Sequence, residues 1–83
     1  MEEMTMKKYH VEILTPVEII AENVPGRSGR DAIERTLKSA GFTGCRFCWH
    51  QGSPVDVPPG KRPAIPVYQD DAGTFIHAIA WTE

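Results

Sequence analysis

Six consecutive residues hold the densest chemistry in the chain: Cys45-Arg46-Phe47-Cys48-Trp49-His50. They include both cysteines, one of the two tryptophans and one of the three histidines. A Cys-x-x-Cys spacing serves a metal or a dithiol only where the backbone turns between the cysteines and aims both sulfurs at one point. Arg46 and Phe47 supply no such turn. In an extended strand side chains alternate, so positions three apart face opposite ways. Cys45, Phe47 and Trp49 then share an apolar face, where Cys45 is a small buried hydrophobe. Arg46, Cys48 and His50 share the other. A zinc site at Cys48 and His50 needs a further ligand from a neighbouring strand, His77 or His10. No second Cys-x-x-Cys and no His-x-x-x-His completes a set of four.

A second group could meet an anion. Pro25-Gly26-Arg27-Ser28-Gly29-Arg30 opens a helix, where free amides and the dipole attract negative charge. Gly26-Arg27-Ser28-Gly29 has the spacing of a KH-type loop, but that loop joins two helices and here a strand precedes it. Arg27, Ser28, Gly29 and Arg30, with Arg46, Lys61 and Arg62, are the candidate anion or nucleic-acid contacts. The plainer reading is a connector whose glycines and Ser28 set the entry angle. A loop over 52–63 carries Pro54, Pro58, Pro59 and Pro63. Its Val55, Val57, Lys61 and Arg62 are the candidate partner contacts, since exposed irregular loops commonly carry binding. Pro63-Ala64-Ile65-Pro66 is a bare Pro-x-x-Pro, with Lys61-Arg62 too close for the usual ligand spacing. Catalytic sets are thin: there is no nucleophile elbow and no His-Glu-x-x-His, and Asp70-Asp71 beside Gly73 reads as a turn. Neither an enzyme nor a cofactor is expected.

The elements that position these residues follow from periodicity. Tyr9, Val11 and Ile13 alternate with polar residues over 8–14, as do Val17, Ile19 and Ala21 over 17–24, so both segments read as strands. A three-residue turn over 14–16 pairs Ile13 with Val17, Val11 with Ile19 and Tyr9 with Ala21, which keeps one face apolar. Ser28 caps a helix over about 29–40, Asp31 stands three residues on, and Gly41 and Phe42 end it. Ala32, Ile33, Thr36, Leu37 and Ala40 form its inner face, while Arg30–Glu34, Glu34–Lys38 and Asp31–Arg35 pair outside. A third strand covers 44–50. A hairpin joins 65–69 to 74–81 through a four-residue loop over 70–73, pairing Val67 with Ile76. Pro66 places its strand at an edge. The expected fold is α+β: a small antiparallel or mixed sheet of about five strands, order ββαβββ, with one helix on one face.

Eighty-three residues at 41% apolar make a single domain over 1–83, with residues 1–6 a disordered lead and Met6 an alternative start. Net charge is −2, so no global field marks a nucleic-acid binder. The charge is uneven: residues 1–23 sum to −3, residues 24–50 to +3 and residues 51–83 to −2. No stretch is long enough to span a membrane and the start has no signal-peptide core, so a cytoplasmic protein with reduced cysteines and no membrane partner is expected.

The layout Lys7-Lys8-Tyr9-x-Val11, then Val17-Glu18-Ile19-Ile20-Ala21-Glu22-Asn23, then Asp31-Ala32-Ile33-Glu34-Arg35 and Gly41-Phe42, resembles a broad group of small accessory proteins of phages and mobile elements. Inhibitors of bacterial defence, anti-CRISPR proteins among them, belong to that group. The resemblance covers residues 7–42 and implies a non-enzymatic protein that binds another macromolecule. It transfers no functional residue, because the group shares no catalytic motif. The primary expectation is therefore a small protein-binding module. A nucleic-acid module and a small zinc protein at Cys48 and His50 are the alternatives. A homodimer through an exposed strand edge, at 65–69 or 8–14, is a further possibility.

Overall fold

The computed structural model describes residues 6–51 and 57–83. Its elements are β1 (Lys7–Thr15), β2 (Ile19–Gly26), α1 (Gly29–Ser39), β3 (Arg46–His50), β4 (Pro66–Gln69) and β5 (Phe75–Thr82). The strands form one antiparallel sheet in the order β2-β1-β5-β4-β3. The expected α+β architecture and element order are those observed. The helix lies across β1, β2 and β5, and carries the chain from one outer strand to the other. No helix among the described residues is long and apolar enough to cross a membrane.

Local signals place the helix closely. Ser28 Oγ accepts from the Asp31 amide at 3.2 Å, and Asp31 accepts from the Arg27 amide at 2.9 Å. At the far end Gly41 adopts φ +95°, a left-handed turn that suits glycine. The Phe42 amide then donates to Leu37 O and the Gly41 amide to Lys38 O, closing a Schellman motif. Ala32, Ile33, Thr36 and Leu37 are buried as expected, whereas Ala40 is exposed as the C-cap. Glu34 is 3.8 Å from Arg30 but accepts from the Tyr68 hydroxyl at 2.8 Å, and makes no ion pair with Lys38 among the described residues.

Between the helix and the sheet lie Tyr9, Val11, Ile13, Ala32, Ile33, Leu37, Tyr68, Ile76, Ala78 and Ala80. At about 1.5–3 kcal/mol for each large apolar side chain removed from water, this layer supplies the main driving force for the fold. The opposite sheet face is also covered at its centre, where Val67 and Ile79 are both 0% exposed.

Three registers differ from expectation. The β1–β2 ladder closes on a five-residue loop over 14–18 rather than a three-residue one: Ile13 pairs with Ile19 and Val11 with Ala21. Val17 falls in the turn and is half exposed. A shift of two residues keeps the same face inward, so the apolar pattern alone does not separate the two registers. In the second hairpin Val67 opposes His77 and Tyr68 opposes Ile76, one residue away from the expected pairing. Asp70 sets this. Its side chain accepts from the Ala72 and Thr74 amides, each at 2.9 Å, and its amide donates to Thr74 O. Gly73, at φ +87°, closes a three-residue loop of Asp71-Ala72-Gly73.

The third difference falls on the cysteine segment. Phe47 opposes Tyr68 and Trp49 opposes Val67, leaving Cys48 as the extra residue of a bulge. Cys45 and Phe47 pack against the core as expected. Trp49 does not: beyond the bulge the phase inverts, and it stands on the opposite face, 49% exposed, 5.6 Å from Phe75. The two segments expected to offer a free edge, 8–14 and 65–69, lie in inner strands. Pro66 is tolerated there as the first residue of β4, a position the ladder accepts as readily as an edge.

Candidate functional site

The side chains that converge are not those of the cysteine segment. On the sheet face away from the helix, His10 of β1 lies between two carboxylates. Nε2 is 2.7 Å from Glu12 on the same strand, and Nδ1 is 2.8 Å from Glu22 of β2. Glu12 arrives by strand alternation, since residues two apart share a face. Glu22 arrives through the longer turn, because the pairing of Val11 with Ala21 sets residue 22 beside residue 10. A bulge follows at once, with Asn23 at φ +56°. The Asn23 amide donates to Glu83 at 2.6 Å, and the Glu83 amide donates to Lys8 O. That loop of bonds brings Glu83, just past β5, to the same point. Trp81 stacks on the imidazole with centroids 4.4 Å apart and fixes the ring plane.

The electrostatics are one-sided. Neutral imidazole has a single N–H and can serve only one of its two carboxylate neighbours, whereas imidazolium serves both. Burial opposes charge on His10, but the hydrogen bonds and charges of Glu22 and Glu12 outweigh it and hold its pKa above the usual histidine value. The His10 hydrogen bond lowers the Glu22 pKa; burial opposes this, and a carboxyl contact with Glu83 adds to the lowering. Three carboxylates thus surround one imidazole, and a proton on His10 offsets only part of their charge.

One ligand atom each from His10, Glu22 and Glu83 lie within 4.8 Å of one another. A tetrahedral zinc ion with bonds near 2.0 Å wants donors about 3.3 Å apart. Glutamate side chains are long enough to close that gap. Glu12 would then hold the Nε2 proton and leave Nδ1 free to coordinate, the carboxylate–histidine–metal arrangement of many such sites. The residues therefore fit a borderline divalent cation of the zinc class.

The sites expected from sequence are dispersed to different degrees. Cys48 donates its thiol to Arg46 O at 3.7 Å, the His50 ring rests 4.9 Å from Phe47, and His77 Nδ1 meets Gln51 at 3.0 Å. The one group of three or more potential ligands among the described residues contains none of these three side chains. Burial pushes the Cys45 thiol up, with Asp70, Asp71 and Glu34 adding to it, which leaves it a poor nucleophile at neutral pH. Of the seven anion candidates, Arg27, Ser28, Gly29, Lys61 and Arg62 line one cavity. Arg30 lies elsewhere, its guanidinium 3.8 Å above the Phe47 ring, and Arg46 donates to Gln69 at 2.8 Å. Val55 lies outside the described residues; Val57 and Lys61 are half-buried and Arg62 is exposed.

Sequence reasoning placed His10 and Glu12 on one strand but missed the cluster. The legible signal was a histidine two residues from an acid on a strand. The remaining members depend on a turn length and on pairing between the first and last strands. In class the molecule is a small α+β domain with a carboxylate-rich histidine site. No family model, curated protein or solved structure matches the chain.

Proposed function

We propose that the chain is a small metal-binding protein that holds a zinc-class divalent cation at His10, Glu22 and Glu83, with Glu12 orienting the imidazole. The observation that supports this reading is one stacked imidazole with a carboxylate on each nitrogen and a third carboxylate, Glu83, within 4.8 Å of the Glu22 and His10 ligand atoms. A mixed nitrogen and oxygen donor set suits zinc, iron or manganese better than soft copper(I). The ion takes the place of the Nδ1 proton, and water fills the remaining positions.

Isothermal titration of chelator-treated protein with zinc and with manganese tests it. One ion per chain is expected, with affinity lost in His10→Ala and weakened at least tenfold in Glu22→Gln and Glu83→Gln. Glu12→Gln is expected to weaken binding less, through orientation alone. Cys48→Ser and His50→Ala are expected to change nothing. Binding that survives His10→Ala but disappears in Cys48→Ser would overturn the assignment.

A second reading, contact with another protein, is favoured by the exposed Trp49 and Phe75, large aromatics of the kind enriched at interfaces. Retention of a partner by the wild-type chain and its loss in a Trp49→Ser, Phe75→Ser variant is the expected outcome. Equal retention by both would count against this surface.

A further inference from the structure

On the helix side of the same end of the sheet is a cavity of about 410 Å³, lined by Arg27, Ser28, Gly29, Gly60, Lys61 and Arg62 together with Tyr9, Ala64, Ala80 and Thr82. Two segments far apart in sequence meet here: the strand-to-helix connector and the end of the proline loop. An Ala64–Ala80 bridge ties the end of the loop to β5, with reciprocal amide bonds of 2.8 and 2.9 Å. Gly29 sits so close that a Cβ there would lie 2.7 Å from the Ala64 methyl.

Three cations and, among the described residues, no carboxylate line this space. Arg27, Lys61 and Arg62 make no ion pair among the described residues, whereas Arg30 and Arg35 are matched with Glu34 and Asp31. The Arg27 charge acts on Asp31 at longer range without pairing with it; the gathered like charges repel one another, and an anion relieves that repulsion. The helix terminus is not the source of the attraction. Its first turn already accommodates Asp31, which accepts from the Arg27 amide, and Ser28, which accepts from the Asp31 amide. The side chains supply the charge, and two hydroxyl-bearing residues, Tyr9 and Thr82, line the same space.

We infer that this cavity binds the phosphate group of a small phosphorylated molecule. The choice of a small ligand over a nucleic-acid strand rests on where the positive charge stops. A strand needs a continuous basic track. The residues that would extend one, Arg30 and Arg46, are engaged with Glu34, Phe47 and Gln69. Around the sheet end, the alternate neighbours of Tyr9 and Thr82 are His10 and Glu83, which belong to the acidic cluster on the other face. The volume suits a phosphate carrying a sugar-sized group.

Inorganic phosphate and ribose 5-phosphate, titrated into the metal-free full chain and followed by amide NMR shifts, test the inference independently of the metal site. Saturable shifts are expected at Gly29, Gly60, Lys61 and Thr82, with ribose 5-phosphate binding more tightly than phosphate. Arg27→Ala and Arg62→Ala should each weaken binding about tenfold, and Arg62→Lys should restore part of it. Both arginines are exposed, so folding is expected to persist, and the amide spectra report it directly. A single-stranded 12-mer is the opposing probe. Binding of the oligomer much tighter than ribose 5-phosphate, with a steep salt dependence, would replace the small ligand with a nucleic acid. Absence of saturable shifts at these amides with any probe would remove the site.

Discussion

Replacing Gly29 with alanine sets two known effects against each other. Gly29 is the first residue of α1, and its backbone lies outside the left-handed region, so alanine is conformationally permitted. Substitution of glycine by alanine in a helix gains about 0.5–1 kcal/mol, and less at the first position. Against this, the new Cβ would stand 2.7 Å from the Ala64 methyl, where carbon atoms prefer about 3.5–4.0 Å. A methyl cannot rotate away, and its backbone is clamped to Ala80 on both sides. Forced overpacking of this kind costs about 1–3 kcal/mol. The steric term wins, and Gly29→Ala is expected to destabilise the fold by about 0.5–2 kcal/mol. Ala64→Gly removes the opposing methyl, so in that background Gly29→Ala should become neutral or mildly stabilising. Urea unfolding of the four proteins, with a shared m-value, completes a double-mutant cycle with a coupling of about 1–2 kcal/mol. A stabilising Gly29→Ala in the wild-type background, or the same effect in both backgrounds, would refute the close approach of the helix start to residue 64.

Other expectations address the second sheet face, the imidazole and the helix surface. Ile79→Ala removes a side chain with no exposure and should cost about 2–5 kcal/mol in urea unfolding, as a core substitution does; a cost below about 1 kcal/mol would mean that this face is open. In metal-free buffer, His10 contributes its full stabilisation below its ordinary pKa of 6.5 and loses it as pH rises through its higher folded value. Glu22 contributes fully above its ordinary 4.5 and loses this as pH falls through its lower folded value. The destabilisation caused by His10→Gln should therefore be largest between those two values and shrink on either side; a pH-independent difference would contradict the pairing. Tyr68→Phe deletes the hydroxyl that donates to Glu34 and should cost about 0.5–1.5 kcal/mol by thermal or urea unfolding, whereas Lys38→Ala, with no acidic partner among the described residues, should cost almost nothing.

The helix was legible to within a residue because its ends are written in local chemistry: Ser28 with Asp31, then Gly41 with Phe42. Strand positions were legible for a similar reason, since alternation needs only neighbours. Registers were not. Moving the β1 pairing from Val17 to Ile19 changes no residue's face, so hydrophobic pattern is silent on it. In the second hairpin, both central-strand faces are buried, and apolar residues on either side make a one-residue slip hard to detect. Asp70 decides the matter by accepting from two amides of its own loop, a preference that four-residue counting ignored. The bulge at Cys48 likewise inverted the phase of Trp49. The candidate metal site depends on two of these unreadable steps, the β1–β2 turn and the strand pairing that delivers Glu83. Cysteines close in sequence are visible to local spacing, whereas acids close only in space are not.

The bulges have a consequence for fibril growth. Both outer strands of the sheet are irregular, β2 where Asn23 turns left-handed beside Glu22 and β3 where Cys48 is inserted. A template for amyloid-like stacking needs a straight run of evenly spaced backbone donors and acceptors. Each bulge twists its strand and interrupts that run. The β2 irregularity also sits beside the acidic cluster, where copies brought edge to edge would press like charges together. The same kink that delivers Glu22 and Glu83 to His10 therefore acts as a terminator, making concentrated protein resistant to fibril seeding along that side.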